Sequence, residues 1–258
     1  MMVGILFFSG MKTGAQTYKL VWSDEFEYKG LPDSTKWDYD VGGSGWGNNE
    51  LQYYTSKRNV NARVEDGKLI IEAVKESFQG MNYTSARLVT ENHGDWLYGK
   101  VEVSAKLPAG TGTWPAIWML PTDWEYGDWP SSGEIDIMEQ VGYDEGRVHA
   151  TIHTEAYNNT IGTQQGSAVV ISDATSTFHI YSMEWTPIKI DFFTDGVKYF
   201  TFYKLSSDYK EWPFDKRFHL IINIAIGGSW GGAQGVDTEA FPARMEIDYV
   251  RISQISPK

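Results

Sequence analysis

The chain has 258 residues, with 22 Lys and Arg against 34 Asp and Glu, a net charge of −12, no Cys, and 15% aromatic residues that include 11 Trp and 15 Tyr. The length suits one all-β domain with a large core, and the lack of Cys excludes disulfides and thiolate metal sites. The negative charge argues against nucleic acid, anionic membranes and heavily sulfated polysaccharides as partners, whereas the surplus of indole and phenol rings suits stacking on a neutral glycan.

Residues 1–16 read as a leader: an apolar run, Val3 to Phe8, precedes the small residues Thr13 and Ala15 ahead of Gln16. That order resembles a signal peptide without its basic front, which implies a secreted or extracytoplasmic protein; a disordered leader fits equally. It is too short to span a bilayer. A single folded domain is expected over 17–258, opening with the strand at Tyr18-Lys19-Leu20-Val21-Trp22. Gly47-Asn48-Asn49-Glu50-Leu51-Gln52-Tyr53-Tyr54 opens on turn formers, for which a plain loop fits. Lys68 to Val74 follows the turn Glu65-Asp66-Gly67, and Arg87 stands in Thr84-Ser85-Ala86-Arg87-Leu88, where a surface ion pair and a binding role both fit.

Lys100 to Leu107 alternates cleanly, with Val101, Val103, Ala105 and Leu107 on one face and Lys100, Glu102, Ser104 and Lys106 on the other. Thr113 to Leu120, read as a strand, puts Trp114, Ala116 and Trp118 on one face as a flat indole platform, for which core packing and ring stacking are both open; Trp129 carries the same ambiguity. Arg147 to Thr154 aligns His149, Thr151 and His153, a spacing that brings two His together on a helix but not on this strand, so zinc is disfavoured. Lys189 to Thr194 and Val197 to Tyr203 flank Asp195-Gly196, a hairpin signal. Leu220 to Ile226 is an apolar strand interrupted by Asn223, whose buried amide needs partners, and it runs into Gly227-Gly228-Ser229-Trp230. No segment keeps helical periodicity for three turns, and there is no repeat or linker. Many short strands with Gly-rich turns predict two antiparallel sheets packed face to face, a jelly-roll sandwich.

The segment Ser131 to Gly142 carries the chemistry. Alternation puts Glu134 and Asp136 on one face and Ile135 and Ile137 on the other, and a regular strand would drive Glu139 into the core, where an unpaired carboxylate costs several kcal/mol. One extra residue near Met138, a β-bulge, re-aims Glu139 beside the other two acids. Same-face residues lie roughly 7 Å apart at Cα, and leaning side chains can bring the outer carboxyls to about 5 Å, the spacing of a retaining glycosidase. Crowded carboxyls cannot all ionise, so one keeps a proton to donate.

Gly133-Glu134-Ile135-Asp136-Ile137-Met138-Glu139 resembles the signature of the family-16 glycoside hydrolases in its bulged, laminarinase-like form, and the likeness extends from Tyr18 to Ile252. It implies a concanavalin-like sandwich with a concave substrate cleft and an endo-acting, retaining β-1,3-glucanase, with mixed-linkage glucan, galactan and non-catalytic glucan binding as rivals. It further implies Glu134 as nucleophile, Glu139 as acid/base and Asp136 as the assisting acid. By the same resemblance Asn49, Glu50, Arg87, Trp114, Trp118, Trp129, His153, Asn223 and Trp230 are substrate contacts, with His153 near the acid/base. No cofactor is needed for catalysis. A structural calcium is implied at Glu25, Gly67 and Asp248, remote from the cleft, and a monomer is expected.

Overall fold

The computed structural model describes residues 17–256, so the leader expected over 1–16 lies outside the described residues. Two sheets account for almost all of the regular structure; among the described residues the only helical turn is the short 3-10 segment Thr238–Ala240. The cleft-bearing sheet runs in the order Gln165–Val170, Arg147–His153, Glu134–Glu139, Thr113–Pro121, Phe218–Ile226, Arg87–Val89 and Asp38–Asp40, with Asp95–Trp96 also pairing Phe218–Ile226. The opposing sheet has Ala243–Ile255 at its centre, between Gly99–Lys106 and Lys68–Phe78. Pairing is antiparallel except where Gln52–Tyr54 joins Met81–Ser85.

Side-chain alternation explains why these segments become strands and how the layers meet. From the cleft sheet Ile117, Met119, Ile135, Ile152, Ile222 and Ile224 point inward against Leu69, Ile71, Val101, Val103, Met183, Phe192 and Ile247 of the other sheet, all buried in one cluster. Each contributes about 1.5–3 kcal/mol by leaving water. The polar face of Gly99–Lys106 is tied outside by Lys100 to Glu102 and Lys106 to Glu246. At the predicted hairpin, Asp195 and Gly196 adopt φ of 51° and 75°, the double positive φ that a two-residue turn of this hand needs.

The bulge lies in the catalytic-looking strand. Opposite Thr113–Pro121, Ala116 pairs with Glu139 and Ile117 with Met138, but Trp118 pairs with Asp136, so Ile137 is the inserted residue. The other neighbour shows the same slip, with Asp136 opposite Thr151 and Glu139 opposite His149. Ile137 and Met138 therefore both enter the core, at 1% and 0% exposure, and every carboxylate of the segment is released to the concave side.

Ile137→Ala leaves a cavity under the bulge and is expected to lower unfolding stability by about 2–5 kcal/mol in urea melts. Activity per folded molecule should survive, because alanine still supplies the extra residue. A folded but inactive protein would show that the side chain, not the insertion, holds the bulge.

Candidate active site

The three acids line the floor of a cleft of about 920 Å³ that crosses the concave sheet from Arg87 to Thr151. Each outer carboxylate is held by an indole. Trp129 Nε1 donates to Glu134 Oε2 at 2.6 Å, and Trp114 Nε1 donates to Glu139 Oε1 at 3.0 Å. Between them Asp136 is 2% exposed, with Oδ2 at 3.3 Å from His153 Nε2. That approach has ion-pair length without hydrogen-bond alignment, and Asp136 Oδ2 makes no hydrogen bond among the described residues.

Burial and mutual repulsion push all three acids up. Glu134 is raised to about 8, by burial first and the Asp136 charge second, while His153 and the Trp129 N–H oppose the shift. Glu139 is raised to about 7, by burial and then by Glu134. Asp136 is held well above its usual range by burial and by Glu139. A buried trio of this kind cannot carry three charges at neutral pH. A proton on Asp136 relieves the main charge acting against Glu134, whose Trp129 hydrogen bond favours the ionised form. One acid is then fit for nucleophilic attack and another, Glu139, titrates near neutrality as a proton donor and acceptor.

Several residues expected at the site line the cleft: Arg87, Trp114, Trp118, Trp129, His153 and Trp230. Asn223 lies in its floor with Asp136 and Glu50. Others are placed differently from expectation. The cleft amide is Asn48, not Asn49; Asn49 sits at φ 58°, exposed, on the outside of its turn. Glu50 is only 8% exposed and directs its carboxylate inward to the amides of Gln52 and Asn48 and the Tyr54 hydroxyl. His153 stands opposite Glu134, and His149 opposite Glu139, so His153 adjoins the expected nucleophile and not the acid/base. Register decides this, since the two histidines are alike in sequence. His149, pushed down by burial, is neutral and packs edge-on against Trp230 at 5.1 Å.

The expected flat platform is also different in kind. The Arg87 guanidinium lies over the face of Trp118 at 4.6 Å and over Trp46 at 4.7 Å, with its Nε 2.8 Å from Asp40 Oδ2, so Arg87 is both ion-paired and part of the cleft wall. Trp114 meets Trp230 edge to face at 5.5 Å. Trp46 and Trp124 line the cleft as well and were not legible beforehand; both have φ of 50°, in turns without periodicity. Asn159, Thr160 and Gln164 from the loop after His153 complete the far end. Their only sequence signal was a polar loop beside a polar strand face.

The three residues expected to hold calcium lie along Ala243–Ile255, where the end of Tyr18–Asp24 and the start of Lys68–Phe78 meet, with Asp24 opposite Val250 and Leu69 opposite Ile247. Glu25 gives both carboxylate oxygens to Arg251, at 2.9 and 2.7 Å, which leaves its backbone, the Gly67 turn and the exposed Asp248 as oxygen donors. Among the described residues, the only group of three acid or His side chains close enough for one ion is Glu134, Asp136 and His153 in the cleft.

A family model described as Glycosyl hydrolases family 16 matches residues 48–251. The chain is 57% identical over 245 residues to a protein named Beta-glucanase from Rhodothermus marinus, covering 92% of this chain and 86% of that protein. Among solved structures, the laminarinase from Rhodothermus marinus superposes with a TM-score of 0.92 at 55% identity, covering 95% of this chain and 100% of that one. A non-specific endo-beta-1,3(4)-glucanase superposes with a TM-score of 0.88 at 50% identity, covering 93% and 92%.

The crowded acids carry a stability consequence. Glu134 is raised from an ordinary 4.5 to about 8 on folding, so its contribution favours the fold at low pH and is lost as pH rises through that interval. Glu134→Gln is therefore expected to melt higher than the native protein at neutral pH. The margin should be absent below about pH 4.5, widen toward pH 8 and then level off. Equal melting curves at all pH values would show that burial does not shift this acid.

Proposed function

This chain belongs to glycosyl hydrolase family 16, and we propose that it is a retaining endo-β-1,3-glucanase acting on neutral β-glucans such as laminarin. The observation that carries the reading is the bulge at Ile137, which sets Glu134, Asp136 and Glu139 on one concave face. Glu134 Oε attacks the anomeric carbon while Glu139 gives its proton to the departing glycosidic oxygen; the C–O bond to the leaving sugar breaks as the glycosyl-Glu134 ester forms. Glu139, now a carboxylate, takes a proton from water, whose oxygen displaces Glu134 with a second inversion. Asp136 keeps its own proton beside Glu134 and lessens repulsion in the resting enzyme.

The cleft runs across neighbouring strands, which suits a chain bound along its length, and its aromatic walls suit sugar rings. A second reading, cleavage of mixed-linkage glucan as well, is favoured by the 50% identity to the enzyme named non-specific for β-1,3(4) linkages. Binding without hydrolysis is disfavoured by the presence of both glutamates. Secretion and action as a monomer complete the proposal. A structural calcium held by backbone oxygens of Glu25 and Gly67 and the Asp248 carboxylate belongs to the proposal too, far from the chemistry.

Proton NMR of a laminarin digest tests the main reading, with the β anomer expected to appear before mutarotation. An α anomer first would break the double displacement; no cleavage of laminarin alongside cleavage of another glycan would overturn the specificity. For calcium, chelation should lower the melting temperature and Asp248→Asn should erase the difference. A native protein whose melting ignores both calcium and chelator has no such site.

A further inference from the structure

Beneath the cleft a set of buried polar side chains is satisfied entirely from within. Trp118 Nε1 donates to Asn223 Oδ1 at 2.7 Å, Asn223 Nδ2 donates to the Tyr54 hydroxyl at 2.9 Å, and that hydroxyl donates to Glu50 Oε2 at 3.4 Å. Gln52 joins the same carboxylate through its Nε2, while its Oε1 accepts from Ile226 N at 2.7 Å. The direction of every link is forced by the two ends. An indole N–H can only donate, so Asn223 must turn its oxygen to Trp118 and its amino group to Tyr54. Tyr54, already accepting from Asn223, has its one O–H left to donate to Glu50, whose carboxyl burial pushes above its usual range while the Gln52 and Asn48 amides favour its acceptor form. None of Glu50, Gln52 and Tyr54 needs the sugar to satisfy it, and Tyr54 is 1% exposed.

We infer that Gln52 and Tyr54, with Glu50, are positioning residues that fix the Asn223 amide and through it the tilt of the Trp118 indole. The inference rests on the glucanase reading for its kinetic consequences. Two constraints act on that ring at right angles: Arg87 covers one face at 4.6 Å, and Asn223 pins the edge. Face stacking alone leaves the indole free to swing about its side-chain torsions and change its tilt. The hydrogen bond to an amide whose own orientation is locked removes that freedom, so the remaining face meets a sugar ring without first paying to be ordered. The geometry explains why a strand segment belonging to the opposing sheet reaches under the cleft: Glu50 bridges Gly227, Leu51 N donates to Ile226 O, and Gln52–Tyr54 pairs with Met81–Ser85. Glu50 in this arrangement works through Trp118 and not by touching substrate.

The test is Tyr54→Phe, which removes one hydroxyl and keeps the ring. That hydroxyl makes two hydrogen bonds, and the one that holds Asn223 is neutral; loss of one such bond corresponds to about fivefold in an equilibrium. KM on laminarin oligosaccharides is expected to rise by about that factor, with kcat altered far less. In a Trp118→Phe background the same change should add nothing, because its effect passes through the indole. Independent of any substrate, the Trp118 indole N–H resonance, identified by its disappearance in Trp118→Phe, should shift in Tyr54→Phe, while those of Trp114 and Trp129 stay in place. If Tyr54→Phe does not fold, Glu50→Gln, which puts a donor at the accepting end, should give the same pattern. Additive effects of Tyr54 and Trp118, or an unmoved Trp118 resonance with only a lower melting temperature, would overturn the inference. A native protein that leaves laminarin intact, with the resonance still shifted by Tyr54→Phe, would defeat the glucanase reading alone.

Discussion

Everything at the concave face depends on one geometric irregularity under electrostatic pressure: three acids within six residues, on a strand whose regular pleat would bury one of them among isoleucines. The inserted Ile137 resolves this by giving the core two consecutive apolar side chains, Ile137 and Met138, and giving the cleft all three carboxyls. The solution to a burial problem thereby creates a charge problem, since the same side chains now repel one another in a poorly solvated groove. That second problem is the useful one. It keeps a proton inside the site at neutral pH, where a catalyst that must both donate and withdraw protons needs it.

The tryptophans respond to the same pressure. They would ordinarily be read as apolar surfaces, but at this site their edges matter as much as their faces. Trp129 and Trp114 supply the N–H groups that stabilise charge on Glu134 and Glu139, and Trp118 begins the buried chain that ends on Glu50. Each indole is a rigid spacer with a donor at a known angle, so anchoring the edge also aims the face. Cleft shape and acid titration are therefore set by a shared group of bonds.

Much of this was legible in the sequence because it follows from rules of two-residue alternation. The strand at Lys100 to Leu107, the Asp195-Gly196 hairpin and the need for a bulge before Glu139 all come from asking which side chains can be buried. What escaped depends on register between distant strands or on backbone angles in turns. Nothing local distinguishes His153, opposite Glu134, from His149, opposite Glu139. The positive φ of Asn49 turns it away and leaves Asn48 in the cleft, and the same conformation presents Trp46 and Trp124 from segments with no period to read. Glu50 was expected as a substrate contact, and only the fold reveals that its carboxylate is held by Asn48, Gln52 and Tyr54.

Arg87 is the one lysine or arginine among the described side chains lining the cleft, and Asp40 neutralises it at 2.8 Å. The groove thus offers no net positive potential to draw a polymer in, and the chain as a whole carries a charge of −12. Encounter with an uncharged chain is left to diffusion and ring contact, and salt, which screens fields beyond about 8 Å at physiological strength, has little to screen. An anionic polymer meets the opposite situation, repelled at a distance and unrewarded on arrival. Selection against charge is exercised by the whole surface before any subsite is reached.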